Sequence, residues 1–209
     1  MTIRLNGSTS GYTEIDAPAV AGSNTLVLPT GNGTSGQVLT TNGSGALSWA
    51  GAGKILQVVQ AVKTDTFSRT SSGSDYGDIT GLSVSITPSS TSSKILVLAS
   101  VNCSNGTAGN RMGIRLAVNS SAITAITGDA SSTRTRATSA TWTGSAGNDL
   151  SHLAIKYLHS PSSVSAQTYS VQGSGEANSV FWCNRSGTNA DSNSVYLAAS
   201  SIIAMEVAA

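Results

Sequence analysis

Apolar and β-branched residues in this chain come in short runs, and Gly, Asn, Ser or Pro soon cuts each one. No stretch keeps the 3.6-residue spacing of an amphipathic helix, and several alternate with the two-residue period of a half-buried strand. Leu82, Val84 and Ile86 alternate up to Pro88; Met112, Ile114, Leu116 and Val118 alternate again; so do Leu153, Ile155 and Tyr157 ahead of Pro161. Lys94–Cys103, with five apolar residues in succession from Ile95, reads as a central strand buried on both faces. Lys54–Phe67, Tyr169 with Val171, Val180–Cys183 and Ser201–Val207 supply the rest. Such strands, separated by loops of Ser, Thr, Asn and Gly, predict an all-β chain whose residues 54–209 form an antiparallel sandwich head, most simply a jelly roll.

Residues 1–50 differ in kind. Their apolar clusters (Ile3–Leu5, Tyr12–Ile15, Thr25–Leu28, Gln37–Thr40 and Leu47–Trp49) are separated by Asn-Gly and Gly-rich turns. Strands this short cannot enclose a sizeable core. The segment therefore needs a partner, either another copy or a neighbouring protein. Gly51-Ala52-Gly53 reads as a hinge between it and the head.

Composition narrows the function. The 209 residues carry 11 Lys and Arg against 10 Asp and Glu, a net charge of +1, and charged residues are only 10% of the chain. There is no basic field to hold nucleic acid and no apolar run approaching a membrane span. The first residues lack the charged region and apolar run of a signal peptide, so synthesis in a cytoplasm without general export is expected. In that compartment Cys103 and Cys183 are expected to be reduced and buried. Two Cys and two His without close spacing make no zinc signature, and no cofactor or metal is expected.

Catalytic signals are equally sparse. His152 and His159 lie an odd number of residues apart, which puts them on opposite faces of one strand. Gly31, Gly33 and Gly36 precede a strand rather than the helix that a phosphate loop requires. Asp75 and Asp78 flank Tyr76-Gly77 without the spacing of a calcium loop, and read as a turn with solvated carboxylates. No catalytic residue is assigned. Two stretches, Thr127–Asn148 and Asn184–Asn193, take no strand assignment. The first is the longer, and long loops within a domain commonly carry function. It offers Arg134 and Arg136 as cationic donors and Trp142 as a stacking face, a set suited to sugars or acidic groups. These three are the receptor-binding candidates. Trp49 and Trp182, inside strand patterns, are expected in the core.

Ile3 through Pro18, then Asn24-Thr25-Leu26-Val27-Leu28-Pro29, then Gly36-Gln37-Val38-Leu39-Thr40-Thr41 and on to Leu47-Ser48-Trp49 resemble a module that recurs in tailed-phage fibre and virion proteins. The likeness is strongest to those of marine and cyanobacterial phages, where the module is a shaft or attachment element ahead of a distal head. Lys54–Val59, Ile86–Val97 and Ile203–Val207 resemble the heads of such proteins. The resemblance implies a homotrimeric fibre or spike of the virion, joined to other virion proteins through residues 1–50. It implies no catalytic residue and leaves the attachment point open among tail, baseplate, neck and capsid. Host-surface contact by the head, with a surface glycan as the partner, is the leading expectation. A capsid decoration protein is the alternative, and a polysaccharide hydrolase a remote one.

Overall fold

Two strands joined by a tight turn satisfy each other's backbone groups, and both parts of this chain are built from that unit. The computed structural model describes residues 3–20, 22–51, 53–73, 75–144, 149–188, 190–193 and 195–209. Ala52 of the expected hinge, residues 145–148 of the first unassigned stretch and Asn189 of the second lie outside them. The chain divides into two compact units, Met1–Gly53 and Lys54–Ala209.

In the first unit, β1 (Ile3–Asn6) and β2 (Tyr12–Ile15) pair antiparallel, with Ile3 opposite Ile15. Gly11 closes their turn at a φ of 77°, a conformation open to glycine at little cost. A second hairpin joins β3 (Gln37–Thr41) to β4 (Leu47–Gly51). The expected run Thr25–Leu28 is not a strand and makes a single bridge, Val27 to Ala46. Pro29 lacks an N–H and constrains Leu28, so pairing cannot propagate past it. Trp49 is not in a core, against the expectation: it is 39% exposed, and its indole N–H donates to the Gly31 carbonyl at 2.9 Å. No described residue of this unit is buried.

The second unit is a sandwich of two antiparallel sheets. Its strands are β5 (Ile55–Lys63), β6 (Phe67–Thr70), β7 (Gly77–Ile86), β8 (Lys94–Asn105), β9 (Arg111–Val118), β10 (Ser121–Ala122), β11 (Ser139–Trp142), β12 (Ser151–His159), β13 (Gln167–Gly175), β14 (Val180–Cys183) and β15 (Ser200–Val207). β5 and β6 are consecutive pieces of one path, and β15 and β14 run back along them. β14 and β15 also lie end to end on one edge of β8, whose other edge pairs with β12. The first sheet is thus β5/β6, β15/β14, β8, β12. The second is β7, β13, β9, with β10 and β11 sharing the far edge of β9. Counting eight strand paths in chain order, the pairs are first with eighth, second with seventh, third with sixth and fourth with fifth. That is one long hairpin rolled over itself, the jelly roll the strand pattern predicts. β11 accounts for part of the Thr127–Asn148 stretch that the sequence left unassigned, and a short 3-10 turn at Thr124–Ile126 lies just ahead of it.

Alternation decides the core. From β8, Ile95, Val97, Ala99, Val101 and Cys103 point inward, and Met112, Ile114 and Leu116 of β9 with Tyr169 and Val171 of β13 face them. Phe181 lies against Gly173, where a Cβ would come within 2.7 Å of its ring. Cys103 and Cys183 stand opposite each other across β8 and β14, fully buried and unbonded. Trp182, between inward Phe181 and Cys183, faces outward, contrary to expectation. The Arg185 guanidinium stacks 3.9 Å from its ring centre.

Glu206 takes an inward position at one end of the sandwich and is fully buried. Burial opposes its charge. Ser89 donates through both its backbone N–H and its hydroxyl at 2.7 Å, and Gln57 donates at 2.6 Å. With Ser93, these donors outweigh desolvation and hold the carboxyl at about 2 against an ordinary 4.5. The contribution to stability is therefore complete above about pH 5 and is lost as pH falls toward about 2. Thermal unfolding from pH 7 to pH 2 should show this loss, on the order of 2 kcal/mol. Glu206→Gln should be less stable at pH 7 and should flatten the acid limb. Gly173→Ala, forced against Phe181, should cost about 1–3 kcal/mol in denaturant unfolding.

Candidate binding face

The outer surface of the sheet formed by β7, β13 and β9 collects the head's unusual polar groups. Along β13 the outward positions are Thr168, Ser170, Gln172 and Ser174, and the last three are nearly buried. Gln172 lies in register with Asp78 of β7 on one side and Arg115 of β9 on the other. Asp78 Oδ1 accepts hydrogen bonds from Ser170 at 2.8 Å and Gln172 at 3.0 Å. Arg115 Nε donates to Gln172 Oε1 at 2.8 Å, and its guanidinium lies 4.3 Å from the ring centre of Tyr76. An Asp–Gln–Arg–Tyr chain thus crosses three strands and ends on an aromatic ring. Burial raises the Tyr76 phenol's pKa, with Arg115 pulling the other way. The neighbouring Asp75 is tied to Arg69 and accepts the Ser72 N–H, which together hold its carboxyl at about 2. It clamps the loop while its side chain stays partly exposed to solvent.

Two pockets flank this chain. One of about 410 Å³ is walled by Tyr76, Arg111, Thr133, Thr135, Ser174 and Glu176. Arg111 and Glu176 approach to 3.6 Å at its rim. The other, of about 560 Å³, lies over Asp78, Thr80, Gly81, Asn119, Ser120 and Thr168. A bulge makes room for it: Ile79 through Leu82 stand opposite Val171 alone, and Gly81 turns the chain at a φ of 89°. Ile79 and Leu82 still reach the core, so the extra residues Thr80 and Gly81 are pushed outward. The first pocket mixes hydroxyls, one aromatic ring and an ion pair with Met112 and three alanines, and the second is lined mainly by hydroxyls, one amide and the Asp78 carboxylate.

The three residues singled out from the sequence meet different fates here. Trp142 lies on β11 opposite Arg111, is 63% exposed, and stands on the same outer face as the first pocket. Arg134 is exposed between the pocket-lining Thr133 and Thr135. Arg136 is committed to its own loop: it donates to the carbonyls of Gly128 at 2.5 Å and Thr124 at 3.3 Å. Sequence reasoning missed Tyr76, Arg111, Arg115 and Gln172, because only strand register brings them together. The one sequence signal was an aromatic ring between Asp75 and Asp78. The two histidines do lie on opposite faces of β12: His152 is outward and exposed, and His159 Nδ1 meets the Tyr169 hydroxyl at 2.7 Å. Among the described residues no three His, Cys, Asp or Glu side chains cluster as metal ligands, and no helix is long and apolar enough to cross a membrane.

These features define the second unit as a jelly-roll sandwich with one polar, pocketed outer face. No family model and no curated protein sequence matches the chain. Among solved structures it is similar to that of infectious bursal disease virus Gx strain, with a TM-score of 0.42 and 13% identity over 95% of this chain and 38% of that one. It is likewise similar to that of the Gt strain of the same virus, with a TM-score of 0.40 and 13% identity over 98% and 46%. The chain spans less than half the length of either.

The loop and the face can be separated experimentally. Arg136→Ala should speed limited proteolysis between residues 124 and 137, whereas Arg134→Ala should not. Trp142→Ala removes an exposed ring and should leave stability within about 0.5 kcal/mol.

Proposed function

We propose that this chain is a non-enzymatic structural protein of a virus particle, a homotrimeric fibre or spike of tailed-phage type. Residues 1–50 attach to other virion proteins and intertwine between copies, and the jelly-roll head contacts a glycan on the host surface. The first unit carries this reading. Ile3, Leu5, Tyr12, Ile15, Leu26 and Val27 are each more than half exposed in a segment with no buried residue. Apolar hairpins without a core gain stability only by burying those side chains against a partner. The resemblance of residues 3–49 to phage attachment modules supports the same role.

For the head, the polar outer face supplies the contact. Trp142 offers an aromatic plane beside Arg111, and Thr133, Thr135 and Ser174 offer hydroxyls in the adjoining pocket. Asp78 and Glu176, the carboxylates on this face, are engaged by Ser170, Gln172 and Arg111, which suits binding rather than hydrolysis.

Light scattering on the full-length protein should give three times the 21.0 kDa chain mass. A monodisperse monomer would remove the basis for the attachment role. Particles carrying Arg134→Ala with Trp142→Ala should assemble normally and lose adsorption to host cells. Normal adsorption by that variant, with the protein located on the capsid surface, would make it a decoration protein instead.

A further inference from the structure

On the outer surface of the other sheet, one row of side chains is apolar from edge to edge. Val58 of β5, Met205 of β15, Leu96 of β8 and Leu158 of β12 are mutual register partners and form one row across all four strands. The next row is Gln60, Ile203, Leu98 and Lys156, and the one beyond is Val62, Ser201, Ser100 and Ala154. Alternation sends all of these outward, because their strand neighbours Ile95, Val97, Ala99, Ile155, Ile202 and Ala204 are in the core. Val58 and Val62 are 56% and 57% exposed and Leu158 is 45% exposed. Eight of these twelve outward positions are apolar, and no described part of the head buries Val58, Val62 or Leu158.

We propose that this face is where the heads of neighbouring copies of the chain pack on one another, an inference that rests on the oligomeric reading above. Area is consistent with the centre of such a contact. Four strands about 4.8 Å apart and five residues at about 3.4 Å give the three rows a footprint of roughly 19 Å by 17 Å. That is on the order of 300 Å², a central part of the ~800 Å² per partner of a stable interface. Charge supports it as well. The three rows carry one formal charge, Lys156 on the edge strand β12, whose long side chain can keep its ammonium in water while a second copy covers the rest. A nucleic acid would require a basic field, and a bilayer surface would favour an aromatic and cationic border that these rows lack. The two outer faces then divide the work: the apolar one turns to the neighbouring heads, and the polar, pocketed one is left free.

The test uses the full-length protein and charges placed on exposed positions at either side of the face. Val58→Glu with Leu158→Glu should reduce the light-scattering mass, or leave copies joined only through residues 1–50 with heads that separate in chemical cross-linking. Thr168→Glu, on the opposite outer face, should leave assembly unchanged. Hydroxyl-radical footprinting of the wild type needs no substitution: Met205 and Leu158 should be protected in the oligomer and labelled after dilution to the monomer. An oligomer whose head contacts survive both glutamates, or whose Met205 and Leu158 are labelled while it is assembled, overturns the assignment and leaves the oligomeric reading standing. A wild-type monomer overturns both. Protection of the same residues in that monomer would mean that residues 3–51 of the same chain cover the face.

Discussion

The register of β8 is the constraint on which the head depends. This strand pairs with β12 along one edge and with β15 and then β14 along the other. It sends Ile95, Val97, Ala99, Val101 and Cys103 inward and Leu96, Leu98, Ser100 and Asn102 outward. Because side chains alternate, a slip of one residue would exchange these two sets and place Ser100 and Asn102 in the core. The same alternation, carried through β15 and β12 by their pairing, builds an apolar layer on each side of one sheet. The inner layer makes the sandwich stable. The outer one stays partly in water, with Val58, Val62 and Leu158 about half exposed.

The other sheet solves the same problem with different chemistry. Its outward positions on β13 are Ser, Gln and Ser, and they are nearly buried because Asp78, Arg115, Tyr76 and the loop over Ala137 close on them. A buried amide is tolerable only when its hydrogen bonds are made, and Asp78 and Arg115 make those of Gln172. That satisfied network lets a polar surface be as rigid as a core. It also fixes one wall of each of the two pockets on strands, with loop residues such as Thr133, Thr135, Asn119 and Ser120 completing them.

The first unit follows the opposite logic. Its hairpins satisfy their own backbones, and Trp49 is fixed by one hydrogen bond to Gly31. Its apolar side chains stay in water nonetheless. A short hairpin has two faces and nothing to lay them on, so local pairing cannot enclose a core. That is the observation on which the proposed assembly role of this segment rests.

The sequence by itself determined the class of the head and most of its strands. Strict alternation at Leu82–Ile86, Met112–Val118 and Leu153–Tyr157 is a local signal, and proline and glycine mark where each strand stops. It also determined that residues 1–50 lack core-forming material, since that follows from strand length alone. Only the tertiary structure decided which residues meet. Trp182 and Trp49 look like core residues in a one-dimensional pattern, yet one is on the outward face of an interior strand and the other has no second layer to pack on. β11 is hidden in a run of Ser, Thr and Ala, because an edge strand is held by the backbone of β9 and needs no apolar pattern of its own. The pocket and the Asp–Gln–Arg chain join residues about a hundred positions apart, and the apolar rows join β5 to β15 across the whole head. Pairing between the first and last strands of a rolled hairpin sets those neighbours, and strand pairing is a property of the closed sheet rather than of any segment within it.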